Sequence, residues 1–481
     1  MPERSHTEQS PWLTLLVVCT VSALLSLNMS TLNIALPVLV RHFEADARAG
    51  SWLLLAYMLA NSVTLVLFGR LGDVTGQRPI YLAGLTTFTI TSFLCGLAPN
   101  IETLIVVRMV QGLASAVLLT NGATLINAAF SSEKLGRAMG FYAASFSVAG
   151  LLGPTMGGFL VEVAGWRWVF WFNVPLCLLG LYWGWRHLRG EPPVDGAKSL
   201  DLGGNIITMV SLLLLTLGIS QATDLGWTDV RVWGLALAAA LLVPVLVGVE
   251  RRVRDPIFDP KVLRTNGVVG IYLGGMLNAA GRFPLITIMS LYFQVILGRS
   301  ALAAGVWLLP MPIGTISAAM CLGWLSERAS PRQLTTAGSA LGLAGLLIVT
   351  GAIVTGVTWP ILVGLAVTGS GTGIFLGSNA TALLQALPRH KLGVGNAVRL
   401  MTQNGGTLIS TATVLTIITS SVAAVKRSAV LGGDATGIDP MDLLPGFQWG
   451  LLAMIIMSVA GLAVCFHNQR HDTAPPMIER T

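Results

Sequence analysis

Apolar runs long enough to cross a lipid bilayer follow one another along almost the whole of this 481-residue chain. A helical crossing takes roughly 20 apolar residues. Reading the runs against their breakers gives fourteen: 12–38, 51–69, 79–98, 103–130, 136–163, 168–187, 204–222, 231–249, 267–297, 301–325, 333–355, 359–386, 394–424 and 446–466. Backbone N–H and C=O groups in hydrocarbon must pair within their own segment, which makes these runs helices. Of all residues 53% are hydrophobic and 11% charged, where a soluble domain carries about 25% charged residues. The fold class expected is therefore all-α and integral to the membrane.

Ionisable residues deep inside such runs are the informative ones. They are Arg108, Arg282 and Arg399; no Asp, Glu, Lys or His lies centrally in any run. A charge at the bilayer centre costs at least ~2.5–3.5 kcal/mol, so each is a candidate functional group. Fixed cations without buried acids suit an anionic or neutral cargo better than a cationic one. Arg108 shares a helix face with Gln111. Arg282 lies between Asn278 and Pro284, and the proline predicts a broken helix beside the charge; broken helices line many transport sites. Arg399 opens the thirteenth run with Gln403 and Asn404. Asn33, Tyr57, Asn61 and Asn121 supply uncharged polar groups within runs. Each fits a wet cavity or a bond to a neighbouring helix, the latter contributing only ~0.6 kcal/mol on average.

Lys and Arg gather in the loops on the N-terminal side, Arg70, Arg78, Lys134, Arg186, Arg252, Arg328 and Lys391 among them. With an even number of spans, both termini read as cytoplasmic. The net charge of +7 is spread over short loops, so no nucleic-acid partner is expected. The first run is too long for a signal-peptide core and reads as a retained helix. The five cysteines have no paired spacing and read as small buried hydrophobes. Without a nucleotide-binding loop, a metal-ligand cluster or a nucleophile–base pair, neither cofactor, metal, ATP-driven transport nor enzyme chemistry is expected.

An internal repeat organises the chain. Gly69 to Arg78 reads GRLGDVTGQR and Gly323 to Arg332 reads GWLSERASPR; Lys134-Leu135-Gly136 returns as Lys391-Leu392-Gly393. This predicts two six-helix halves, 12–187 and 267–466, with two inserted helices and their linkers at 188–266. Residues 1–11 and 467–481 read as cytoplasmic ends, and 250–266 as an amphipathic linker on anionic headgroups.

Gly69 to Arg78 reads as a tight cytoplasmic turn. Gly69, Gly72 and Gly76 permit close backbone approach, and Asp73 is placed to accept hydrogen bonds from a helix N-terminus or a basic side chain. Gly150 to Gly158, with Gly153, Pro154 and Gly157, predicts a hinge or a tight seam between helices. These segments, with Leu104 to Ala116 and Trp166 to Pro175, resemble the motifs of the major facilitator superfamily. The likeness is to its fourteen-span drug:proton antiporters of the methylenomycin-resistance type, and it covers nearly the whole chain. It implies two six-helix halves plus two central helices, with gating by Gly69, Asp73, Gly76 and Arg78. It also implies a coupling role for Arg108 and a small-molecule substrate moved against protons. One position departs: in Leu27-Asn28-Met29-Ser30-Thr31, Asn28 stands where that family has Asp. An amide hydrogen-bonds but does not titrate.

The function expected is secondary active export of a small amphiphilic antibiotic or metabolite, anionic or neutral, from a bacterial cell. It would work by alternating access with protons as partner, as a monomer in the cytoplasmic membrane. The alternatives are an uncoupled or symport-type carrier, a cationic multidrug:proton antiporter, and a transport-inactive sensor.

Overall fold

The computed structural model describes residues 11–45, 47–188, 202–225, 229–250, 267–299, 301–388, 391–419 and 440–469. Among them there are helices and turns and no strands. Ten helical spans among the described residues are long and apolar enough to cross a membrane. Of the expected linker at 250–266 all but Glu250 lies outside the described residues, as do 1–10 and 470–481.

Two compact units divide the chain. The first comprises 1–209, 253–257 and 387–398. Its helices are α1 (Pro11–His42), α2 (Ala47–Thr75), α3 (Gln77–Gly96), α4 (Ile101–Ala129), α5 (Ser132–Ala164), α6 (Trp168–Trp171) and α7 (Asn173–His187). Here α1 packs on α5, and α4 on both α2 and α3. Polar side chains point inward: Asn28, Arg108, Gln111 and Asn121 are at most 1% exposed. Large apolar ones such as Phe159, Val163 and Trp185 point outward. This inversion of a soluble protein follows when the outer solvent is lipid.

The second unit comprises 210–252, 258–386 and 399–481. A helix α8 (Leu202–Leu225) enters it, followed by α9 (Val230–Glu250), α10 (Val268–Arg282), α11 (Pro284–Leu291), a π-helical turn (Tyr292–Ile296), α12 (Ala301–Leu308), α13 (Pro310–Ser326), α14 (Pro331–Thr355), α15 (Trp359–Ala386), α16 (Leu392–Thr419) and α17 (Pro440–Gln469). The first residues of α16 belong to the first unit. Here α15 packs on α13 and α14, and α10 on α17. An apolar cluster gathers Leu285, Phe293, Leu365 and Phe447. Along α9, Val230, Leu237 and Leu241 are exposed, as an inserted helix in lipid would leave them.

Three expected spans lose regular hydrogen bonding without leaving the helical path. Phe172 between α6 and α7 and Leu309 before Pro310 keep helical dihedrals. In the run 267–297 Phe283 does so too, at φ −62° and ψ −35°; Pro284 removes one backbone donor there, and the run then loosens into the π turn. One reading needs correction. Gly69–Thr75 is not a turn but the last turns of α2, because nothing in that heptad prevents helix once Asp73 and Arg70 are buried. The chain reverses at Gly76 alone, whose φ of +89° is a conformation that suits glycine. Of the hinge or seam expected at Gly150–Gly158, the geometry has the seam: α5 runs through unbroken, and a Cβ on Gly157 would come within 2.8 Å of the Thr31 carbonyl oxygen of α1.

Candidate functional site

Three polar clusters hold the residues singled out from the sequence. The first surrounds Arg108 in the middle of the first unit. Its Nη1 donates to Asn28 Oδ1 at 2.7 Å and to Gln111 Oε1 at 2.6 Å, and Gln111 Nε2 donates on to Ser92 Oγ at 2.8 Å. The Tyr57 ring lies 4.2 Å from the guanidinium carbon, close enough for a cation–π contact worth ~2 kcal/mol when desolvated. Four helices thus converge on one charge: α1 through Asn28, α2 through Tyr57, α3 through Ser92 and α4 through Arg108 and Gln111. Every partner is neutral. Arg108 Nε and Asn28 Nδ2 are buried donors without an acceptor. Asn61 donates to Ser115 Oγ, tying α2 to α4 one turn further along. The Asn33 side chain lies outside the described residues.

The second cluster surrounds Arg282 in the second unit, where α10 ends. Its Nη2 donates to Asn278 Oδ1 at 2.6 Å, to the Ser339 carbonyl at 2.9 Å and to the Gly338 carbonyl at 3.2 Å. Ser339 Oγ donates to the same Asn278 oxygen at 2.8 Å. The Phe375 ring stands 5.3 Å from the guanidinium carbon. Gly342 on α14 leaves the space the guanidinium fills, because a Cβ there would collide with it. From α16, Arg399 Nη1 donates to Gln403 Oε1 at 3.3 Å; Gln403 Nε2 donates to Asn379 Oδ1 at 3.3 Å. Asn379 in turn donates to the Ile271 carbonyl of α10 at 3.2 Å. Gln403 and Arg282 line a common recess of about 10 Å³. Asn404 is half-buried beside them in sequence.

The third cluster is the end of α2. Asp73, 1% exposed, accepts hydrogen bonds from the backbone N–H groups of Gly393 at 2.9 Å and Val394 at 3.1 Å. These are first-turn N–H groups of α16, where the helix dipole favours a negative charge. The backbones meet because both faces lack side chains: a Cβ on Gly69 would stand 2.6 Å from the Gly393 carbonyl oxygen. Asn121 packs on Gly72 and donates to the Val117 carbonyl at 2.9 Å. Asn396 donates to the Thr120 carbonyl at 3.0 Å. Arg78 donates from Nη2 to the Trp185 carbonyl at 2.6 Å, joining α3 to α7. Gly153 packs on Ser30, while the Pro154 side chain lies outside the described residues.

Sequence reasoning missed Ser92, Ser115, Ser339 and Gly342. Hydroxyls and glycines are frequent throughout these helices, and only the packing separates those that face an arginine. Asn396 sits in the same stretch as Arg399, but no local signal marks its reach to α4.

The family model of the Major Facilitator Superfamily matches residues 18–411. The chain is 32% identical over 356 residues to the puromycin resistance protein pur8 of Streptomyces alboniger, covering 73% of this chain and 70% of that protein. It is 28% identical over 436 residues to the methylenomycin A resistance protein of Streptomyces coelicolor, covering 89% and 90%. Its fold is similar to the crystal structure of the human organic anion transporter MFSD10, with a TM-score of 0.62 and 14% identity over 93% of this chain and 99% of that one. The chain belongs to the Major Facilitator Superfamily, and antibiotic-resistance proteins are among its relatives.

Proposed function

We propose that this transporter exports a small amphiphilic antibiotic or metabolite, anionic or neutral, by alternating access linked to protons. The observation that carries the reading is the Arg108 cluster. A buried guanidinium is met by an amide, Asn28, at the place where the resembled antiporters have a titratable acid. A site holding fixed positive charge and no buried acid repels a cationic drug and attracts an acidic one. Relatives named for resistance to puromycin and methylenomycin A support efflux as the direction. In this reading both termini face the cytoplasm, the protein works as a monomer in a bacterial cytoplasmic membrane, and the count of spans is fourteen. The bonds from Asp73 to Gly393 and Val394 are made in one state of the cycle and broken in the other. Protons are carried by acids outside the Arg108 cluster, Asp73, Glu102 or Glu162.

One observation favours a second reading, an uncoupled carrier. Asn28 removes the titratable group nearest Arg108, and anion export is already downhill across a membrane with a negative interior. The test is proton flux in everted vesicles challenged with matched acidic, neutral and cationic amphiphiles, for the wild type and Asn28→Asp. Acidic and neutral compounds should discharge the proton gradient in the wild type, and Asn28→Asp should gain a response to cations. A wild type that answers only to cations would make this an ordinary multidrug antiporter and sink the charge argument.

A further inference from the structure

We propose that Arg282 holds a compact monovalent anion, a halide ion or a single carboxylate group, in the recess beside Pro284, where α10 meets α11. Such binding depends on neither the direction nor the coupling of transport. A guanidinium carries five N–H donors. The two on Nη2 are spent on Asn278 and on the Ser339 and Gly338 carbonyls. The three on Nε and Nη1 have no acceptor, although the residue is only 2% exposed. Every acceptor that Arg282 does have is neutral, so neither its charge nor half of its hydrogen-bonding capacity is matched by these partners.

The recess limits what can supply the match. It is bounded by Gly275, Asn278, Thr372, Phe375, Leu376 and Gln403, none of them acidic. Its free space of about 10 Å³ is on the scale of one water-sized centre, so a halide or the head of a carboxylate enters only with a small outward shift of the lining, and the body of an amphiphile does not enter. A water there would satisfy N–H groups and leave the charge. A monovalent anion satisfies both, and charge-assisted bonds to guanidinium are the stronger kind. Gly342 makes room for the guanidinium at this place, since a Cβ there would collide with it.

Thermal unfolding of the purified protein in detergent tests the site, with sodium gluconate replaced by chloride, bromide or acetate at constant ionic strength. Wild-type Tm should rise by roughly 2–4 °C in at least one small anion, following the mass-action stabilisation expected of a ligand bound to the folded state. Arg282→Gln should lose that rise. A response to halides alone identifies an inorganic ion as the occupant; a response to acetate shows that a carboxylate group is accepted. Should Arg282→Gln not fold, chloride-35 line broadening on the wild type, displaced by bromide or acetate, gives the same answer. Equal Tm in all four salts without excess broadening overturns the assignment, as does a rise of the same size in folded Arg282→Gln. Since the assay involves no transport, the export reading can fail while this one stands, and the reverse.

Discussion

Arg108 and Arg282 meet one electrostatic problem with different surroundings. Arg108 draws partners from four helices, Asn28 and Gln111 accepting from one of its nitrogens while the Tyr57 ring covers its face. Arg282 leans on its own helix through Asn278 and on two backbone carbonyls of α14. The planar fork matters in both places, since a lysine ammonium cannot reproduce its geometry. Arg108→Lys keeps the charge and should lose at least one charge-assisted bond, worth about 1.5–3 kcal/mol. Transport in vesicles should fall roughly 10–100-fold, while monodisperse protein is recovered at near wild-type yield. Unchanged transport would mean that the charge alone matters and the alignment with Asn28 does not. The sequence made Arg108 and Gln111 visible as a pair three apart, because helix periodicity is local. The bond from Arg108 to Asn28 spans 80 positions, and only the packing of α1 on α4 creates it.

At the scale of elements, breakers were legible when they act through covalent geometry and misleading when they act through context. Pro284 lacks an N–H and interrupts the hydrogen bonding between α10 and α11 where expected, although Phe283 keeps helical dihedrals. Pro154 has the same chemistry, yet α5 passes through it, because the seam of Gly153 and Gly157 against Ser30 and Thr31 holds the helix on α1. The stretch Gly69–Thr75 looked like a turn for its glycines and charges, but burial of Asp73 against α16 stabilises it as helix. Those two bonds come from residues 320 and 321 positions away, beyond the reach of any local pattern. What remains of the turn is Gly76, with φ of +89° and ψ of 142°. A side chain there costs about 1–3 kcal/mol in backbone strain. Gly76→Ala should therefore lower the free energy of unfolding in detergent by that amount, with the hydrogen bonds of Asp73 intact. A stability equal to the wild type would mean that the α2–α3 connection relaxes to another conformation.

For the whole molecule, the quantity that separates the competing mechanisms is the number of charges moved per cycle. Each elementary charge crossing the membrane is worth about 2.3 kcal/mol per 100 mV. Export of a monovalent acid against one entering proton moves two charges, and a neutral cargo against one proton moves one. A monovalent cation against one proton moves none. Without proton coupling the acid moves one charge and the neutral cargo none. Proton-linked export of an acidic or neutral cargo, as proposed, predicts the first pair of values. Measured in everted vesicles under imposed potassium diffusion potentials, accumulation of an acidic cargo should therefore respond to voltage with twice the slope of a neutral one. A slope of one for the acid with none for the neutral compound would replace proton antiport by uncoupled passage. A cation accumulated in strong preference to both would show that the fixed charges of Arg108, Arg282 and Arg399 do not set selectivity, and that an acid elsewhere in the chain governs the cargo.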